Sequence, residues 1–250
     1  MFIDAVDLHL SAILLDVDGT LLDFAPTPLE VVIPPELTEA LGNLRERTGG
    51  ALAFVSGRTL AELDVFFAPL KLAAIAVHGA ELRLNDGTVR RAKHLLDPEL
   101  TKRLASIADD KSGLVLEDKG YSFAIHYRQA PEHGHAVREE VNAVCAAFPD
   151  AAIEILPGKS VVEVKQPSFN KGTAVRELMR HPPFATRKPI FIGDDVTDEA
   201  AFEVLPEFGG IGFSVGREVQ GLAGVFEAPR DVRRWIIGMA QTKQTKKEAR

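Results

Sequence analysis

A single cysteine, Cys145, excludes an internal disulfide and any cysteine-rich zinc site. It lies in VNAVCAAF, a helix-like apolar run, and is expected in a core. No apolar run reaches the roughly 20 residues that a membrane-spanning helix needs. The first residues, MFIDAVDLHLSAILLD, lack a basic stretch and carry early acids. They make a poor secretory leader, so the expected compartment is the cytoplasm. Positive charge is also in short supply: 29 Lys and Arg stand against 36 Asp and Glu, a net −7. The whole molecule is therefore not drawn to nucleic acid or to anionic lipid. An anionic substrate would have to be held by a local basic cluster or by a metal ion. Solenoid-type repeats are missing too. What remains is ordinary for a globular chain, with 46% hydrophobic and 26% charged residues over a length that suits one large domain or two smaller ones.

Two textures alternate along the chain. The first is a set of short apolar runs that each end in small or polar residues: SAILLDVDGT (11–20), GALAFVSGRT (50–59), LAAIAVHGAE (72–81), KPIFIGDD (188–195) and GGIGFSVG (209–216). Runs apolar on both faces suit a parallel sheet with helices on each side. Helix-like stretches lie between several of them, at 35–47, 60–67, 171–179 and 199–205. Strands alternating with helices predict a doubly wound, mostly parallel α/β sheet. The second texture fills residues 85–166 and reads helix (98–110), strand (114–118), strand (121–128), helix (132–147), strand (151–156), strand (160–166). The last two strands read as a hairpin across Pro157 and Gly158. That αββαββ order predicts an inserted α+β domain with an antiparallel sheet. The core would then be 1–84 plus 167–240. The tail 241–250 is polar and basic with nothing to bury, and is expected to be disordered.

Period-2 reading divides the inserted sheet into two faces. Phe123, Ile125 and Tyr127 share one face of their strand, as do Val162 and Val164 of theirs, and helices can cover these. Ala124, His126 and Arg128, with Val161, Glu163 and Lys165, share the other. That second face is expected to stay polar, either as a half-bare solvated surface or as a grip for a polar ligand.

Ligands of open parallel sheets bind beyond the carboxyl ends of the strands. Here those ends carry Asp16 and Asp18, then Ser56, Gly57 and Arg58, then Asp194 and Asp195 with Asp198 and Glu199 opening the next helix. Lys171 opens a helix in NKGTA. Each has an ordinary alternative: a polar turn, an N-cap with acids in its first turn, a surface lysine. Together they crowd carboxylates, a hydroxyl and a lysine around one rim. Carboxylates so close repel unless a cation sits among them, and an all-oxygen set favours Mg²⁺. Phosphoryl transfer uses these parts. One aspartate attacks phosphorus, a second moves the proton, a cation offsets charge repulsion, and a hydroxyl and a lysine stabilise the equatorial oxygens.

Three competing motifs fail on the letters. A calcium loop starting at Asp16 needs Gly and Glu where Leu21 and Thr27 stand. A phosphate loop around PGKS (157–160) needs a Gly where Ile153 stands. GFSVG (212–216) fits a serine-hydrolase elbow, but that fold expects its histidine after Ser214, and the last histidine is His181.

With these residues in hand, the chain resembles the haloacid dehalogenase (HAD) superfamily of phosphatases. The matching segments are DVDGT, SGR, the lysine of NKGTA and GDDVTDE, in the family's order. The αββαββ insert resembles the family's C2-type, subclass B cap. Within that group, HGAELR (78–83), HYR (126–128), GKSVVEVKQPSFNKGTA (158–174) and GDDVTDEAAF (193–202) look most like the trehalose-6-phosphate phosphatases. The resemblance implies a Mg²⁺-dependent hydrolysis of trehalose 6-phosphate through an aspartyl phosphate. It implies Asp16 as nucleophile and metal ligand, and Asp18 as general acid and base with its carbonyl on the metal. Asp194 would be the third ligand, with Asp195 and Asp198 holding metal-bound water and Thr20 bracing the first loop. Ser56, Gly57 and Lys171 would hold the phosphoryl group. Lys159 and Glu163 would bind the sugar, helped by Glu117, His126 and Arg128, while Arg58, His78 and Glu81 would reach it from the core. The expected partner is a small-molecule sugar phosphate, without nucleic acid or membrane, and the expected state a monomer. Alternatives are another sugar phosphatase (sucrose-phosphate or glycosyl-phosphoglycerate), a hexose-phosphate mutase, and a non-catalytic phospho-receiver.

Overall fold

The computed structural model describes residues 6–24, 31 and 33–241. In chain order the elements are β1 (Ser11–Leu15), α1 (Pro35–Arg47), β2 (Leu52–Val55), α2 (Leu60–Phe66), β3 (Ala73–Ala76), β4 (Glu81–Arg83), β5 (Val89–Arg91), α3 (Pro98–Ser106), β6 (Val115–Asp118), β7 (Ser122–His126), α4 (Gly134–Ala146), β8 (Glu154–Gly158), β9 (Val161–Lys165), α5 (Lys171–Leu178), β10 (Lys188–Gly193), α6 (Glu199–Val204), β11 (Ile211–Val215), β12 (Gly224–Phe226) and α7 (Pro229–Gln241). Two sheets result: eight strands ordered β12-β11-β10-β1-β2-β3-β4-β5, and four ordered β6-β7-β9-β8. The first is parallel from β12 to β3, with β4 and β5 added antiparallel.

The central strands are buried on both faces, as their unbroken apolar runs require. Ile13, Leu15, Leu52 and Phe54 point to one side and pack with Leu37, Leu41 and Leu44 of α1 and Val232 and Ile236 of α7. Ala12, Leu14, Ala53, Val55 and Phe191 point to the other and pack with Val175 and Leu178 of α5 and Phe202 of α6. Each fully buried Leu, Ile, Val or Phe among them contributes about 1.5–3 kcal/mol. From β1 the chain winds one way through β2 and β3, and later the other way through β10, β11 and β12. The reversal leaves a crevice beyond the ends of β1 and β10, the position where such sheets bind ligands.

The second sheet follows the αββαββ order. Phe123, Ile125, Tyr127, Val162 and Val164 form its apolar face with Leu100 and Leu104 of α3 and Val137 and Val141 of α4. Cys145 packs at the margin of this cluster, half-buried. The opposite face is polar, as its alternation predicts, but it is not bare. Glu163 is 8% exposed and Lys165 2%. Glu163 faces the crevice of the large sheet and meets His78 there, while Lys165 is held by Glu154 and the Phe169 carbonyl.

Three local readings are corrected. Residues 89–91, placed by sequence in the insert, pair with β4 in the large sheet. The hairpin does not turn at Pro157 and Gly158. β8 runs through both, and the turn falls on Lys159 and Ser160, the latter at φ 62. Pro157 is tolerated because β8 is an edge strand, where its missing N–H costs no ladder bond. β12 and α7 complete the core beyond the last strand read from sequence, α7 packing on α1. Of the tail expected over 241–250, Gln241 is the last residue of α7, and 242–250 lie outside the described residues. Among the described residues no helix is long and apolar enough to cross a membrane.

Candidate active site

Asp16 follows β1, Asp194 follows β10 and Ser56 follows β2. Parallel register aligns them: Leu15 pairs with Ile192 and with Phe54, and the Asp16 N–H donates to the Ile192 carbonyl at 2.9 Å. The loop after β1 then folds back, with Gly19 N–H on Leu22 O at 2.8 Å. Gly19 has φ +83, and a Cβ there would stand 2.3 Å from Asp194 Oδ2. Only glycine lets this backbone approach that carboxylate. Lys171 is the first residue of α5. Its position is set by a cap in which the Asn170 side chain accepts from Thr173 N–H at 2.8 Å.

These elements bring one oxygen each of Asp16, Asp194 and Asp198 within 4.8 Å of one another. All three residues are buried. Lys171 Nζ donates to Asp16 Oδ1 at 2.8 Å and Asp198 Oδ1 at 2.6 Å. Asp194 accepts from Thr20 Oγ1 at 3.4 Å and Lys159 Nζ at 3.2 Å. Asp198 spends its second oxygen on the Asp195 N–H, at 3.0 Å. Electrostatics follow from the inventory. Burial would lower the Lys171 ammonium, but Asp16 and Asp198 outweigh it and hold the proton on. Burial pushes the Asp16 carboxyl well above the usual range, Lys171 opposes this, and Asp198 and Asp194 add to it. Burial and the Asp198 charge likewise raise Asp194 to about 6, against the pull of Lys159. Buried Lys171 serves Asp16 and Asp198, and the exposed Lys159 serves Asp194, so three buried carboxylates meet two ammonium groups and the cluster is short of positive charge. A divalent cation held by Asp16 and Asp194 would supply it, and the all-oxygen set suits a hard ion.

Beside this cluster Asp18 is 2.7 Å from Arg58 through both oxygens, and Ser56 Oγ accepts from Arg58 N–H at 3.1 Å. From the second sheet, Glu163 reaches His78 of the core at 2.9 Å. Burial would raise its carboxyl, but His78 and Lys119 hold it well below the usual carboxylate range. Glu117 accepts from His126 at 3.0 Å. That bond and Lys119 outweigh its burial and lower it as well. The polar face thus presents two ionised acceptors. At the hairpin tip, Lys159 Nζ and Arg128 lie over the Phe24 ring, 4.8 and 5.2 Å from its centroid.

One cleft is lined by Asp16, Asp18, Ser56, Gly57, Arg58, His78, Glu117, His126, Arg128, Lys159, Glu163, Lys171, Asp194 and Asp195. Residues separated by up to 179 positions in the chain thus meet. Thr20 and Asp198 lie behind it, buried and bonded to lining residues. Glu81 does not line it. Its carboxylate accepts from Leu60 N–H at 3.3 Å and pairs with Arg91 at 2.9 Å, because β4 turns that side chain toward α2 and β5. Sequence reasoning missed Phe24, Lys119 and Thr197, which also line the cleft. Lys119 carried a usable signal: two positions after Glu117, it shares that residue's face. Phe24 carried none, since its neighbours across the cleft come from the hairpins of the other sheet.

The doubly wound core with its inserted αββαββ unit matches the fold of a solved HAD-superfamily phosphatase of Bacteroides thetaiotaomicron with a TM-score of 0.61 at 15% identity, covering 94% of this chain and 97% of that one. The family model described as trehalose-phosphatase matches residues 14–222. The chain belongs to the trehalose-phosphatase family. It is 42% identical over 217 residues to a probable trehalose-phosphate phosphatase of Sinorhizobium fredii, covering 86% of this chain and 81% of that one. It is 35% identical over 236 residues to the trehalose-6-phosphate phosphatase of Escherichia coli K12, covering 93% and 88%. Its fold matches the solved C-terminal domain of the C. albicans trehalose-6-phosphate phosphatase with a TM-score of 0.80 at 21% identity, covering 93% and 92%.

Proposed function

We propose that this chain hydrolyses trehalose 6-phosphate to trehalose and phosphate with Mg²⁺, through an aspartyl phosphate on Asp16. The observation that carries the reading is the cation-deficient trio Asp16, Asp194 and Asp198, three buried carboxylates on the ammonium groups of Lys171 and Lys159, facing a sheet of fixed acceptors. Mg²⁺ held by Asp16, Asp194 and the Asp18 carbonyl would polarise the phosphoryl group and offset its charge against the carboxylates. Asp16, oriented by Lys171, attacks phosphorus as the bond to the sugar oxygen breaks. Lys171 and Ser56 Oγ hold the equatorial oxygens. Asp18 donates a proton to the leaving oxygen, then takes one from the water that attacks the aspartyl phosphate and frees Asp16. Asp18 rests on Arg58, so substrate entry must turn it from the guanidinium toward the sugar oxygen. Residues 85–166, less the strand at 89–91, act as the cap. Its Glu117, Glu163, His126 and Lys159 bind sugar hydroxyls and exclude water, and Asp195 would orient water beside the carboxylates that hold the ion. The reading favours a sugar phosphate over a phospho-receiver, because a receiver has no use for a polar cap face. The cleft is completed within one chain, so a monomer suffices, and a water-soluble substrate suits the cytoplasm.

Phosphate release over a panel of sugar phosphates with Mg²⁺ tests the substrate. Trehalose 6-phosphate should give the highest kcat/KM, and a clear preference for sucrose-phosphate or a glycosyl-phosphoglycerate would reject it. Glu163→Gln keeps shape but loses charge. It should lower kcat/KM for the disaccharide about 10–100-fold and leave a small aryl phosphate within threefold. Equal losses on both would remove Glu163 from sugar recognition.

Metal binding should depend on pH. The Asp194 carboxyl, raised to about 6, is protonated below that pH and must lose its proton to take the ion. Since its folded pKa lies above the unfolded one, its ionisation also destabilises the metal-free fold as pH rises through this range. At pH 8, Mg²⁺ at a hundred times its Kd should therefore raise Tm by roughly 5–10 °C. At pH 5 the same concentration should do far less. Equal shifts at both values would contradict the assignment of Asp194 as a ligand.

A further inference from the structure

We propose that Arg217 is a positioning residue that holds the loop carrying Asp194 in its metal-binding shape. The inference rests on the metal site proposed above and concerns a residue outside it. Arg217 stands two residues beyond β11, the parallel neighbour of β10. The ladder between them ends with Gly193 beside Ser214. Past that point β10 becomes the loop of Asp194 and Asp195, whose carbonyls need donors. The backbone of the β11 side cannot provide them. Gly216 takes φ +68, and its N–H goes instead to Phe226 O of β12 at 2.9 Å.

The Arg217 side chain continues the ladder in place of the backbone. Its Nε donates to Asp194 O at 2.9 Å, and its Nη2 donates to Asp195 O at 2.9 Å. Nη1 meets Glu199 Oε1 at 2.9 Å, on the first turn of α6. One planar fork thus ties both ends of the loop, and its geometry fits two adjacent carbonyls as an ammonium cannot. With both carbonyls fixed, the Asp194 side chain points inward to Thr20 and Lys159. Without Arg217 the loop keeps Asp198 Oδ2 on the Asp195 N–H but loses its hold on the Asp194 carbonyl. Groups that orient metal ligands typically set affinity within about 10–100-fold.

The sign of the effect separates positioning from plain electrostatics. Arg217 is a cation near a cation site. If only its charge mattered, Arg217→Gln would bind metal more tightly. Positioning makes the variant bind more weakly. Mn²⁺ binding, followed by electron paramagnetic resonance on the metal-free chain without substrate, reads this directly. Arg217→Gln should raise the Mn²⁺ Kd about tenfold, and Arg217→Lys should fall between it and the wild type. At saturating Mg²⁺, kcat for Arg217→Gln should return to within threefold and KM should stay unchanged. Hydrogen exchange in the metal-free Arg217→Gln chain should quicken at residues 194–198 while the strands keep their protection. A general loss of stability would quicken the strands too, and would overturn the proposal, as would an unchanged or tighter Kd in both variants. Absence of saturable Mn²⁺ binding by the wild type would bring down the metal site itself. Wild-type binding with unaltered variants would bring down only the role of Arg217.

Discussion

Asp16→Asn should release phosphate at least about 10⁴-fold more slowly than the wild type, the scale on which loss of a nucleophile is felt, while the chain keeps its fold. The amide cannot form an acyl phosphate, and it is a poor metal ligand. The same change should not weaken the metal-free protein. Burial and the neighbouring Asp198 and Asp194 charges, only partly offset by Lys171, raise the Asp16 carboxyl. A carboxyl raised on folding costs stability once pH exceeds its unfolded value, so a neutral replacement removes that cost at neutral pH. Lys171 keeps Asp198 at 2.6 Å as its partner. Calorimetry in EDTA at pH 7.5 should therefore find Tm equal to the wild type or higher, with Mg²⁺ raising it less than in the wild type. Phosphate release within tenfold of wild type would reject the covalent route. A Tm well below wild type would reject the view of the cluster as short of positive charge.

Lys171→Met should fail in both respects. The ammonium is 3% exposed and bridges two buried carboxylates. Removing one partner of a buried pair leaves uncompensated charge and costs about 3–5 kcal/mol. For a chain of this size that lowers Tm by roughly 6–20 °C. Its pH dependence follows from the carboxylates. Lys171 stays protonated through the neutral range because Asp16 and Asp198 outweigh its burial. Near pH 4 the raised carboxyls of Asp16 and Asp194 bind protons and the ammonium has less charge to offset. The deficit relative to wild type should thus be small in acid and grow as pH rises to 8. Mg²⁺ should recover part of the stability at pH 8 but not the activity, since the proposed hold of Lys171 on the equatorial oxygens is gone. A deficit independent of pH would show that Lys171 acts as packing alone.

The contrast between these residues and Arg217 shows where reading the letters stops. Asp16, Asp18, Asp194 and Lys171 are visible because each sits at the abrupt end of an apolar run or at a capped helix start. That local grammar is a property of short segments. The αββαββ insert was visible for the same reason, through the alternation in YSFAIHYRQ and VVEVK. Lys119 sat within reach of such reasoning, on the face of Glu117. The resemblance in HGAELR places Glu81 at the sugar, yet β4 turns it to Leu60 and Arg91.

The letters alone determined the kind of most elements, short of β4, β5, β12 and α7, together with the order in which the reactive groups occur and the two faces of the inserted sheet, because helix and strand periods act over a few residues. Tertiary structure alone decided that Glu163 of the polar face meets His78 in the crevice, that Phe24 lies under Lys159 and Arg128, that the hairpin turns at Lys159, and that Arg217 reaches the carbonyls beyond β10. Those contacts join segments far apart in the chain. They depend on strand register, on the reversal of winding at β1 and on how the two sheets pack, and none of these leaves a periodic trace in the residues it brings together.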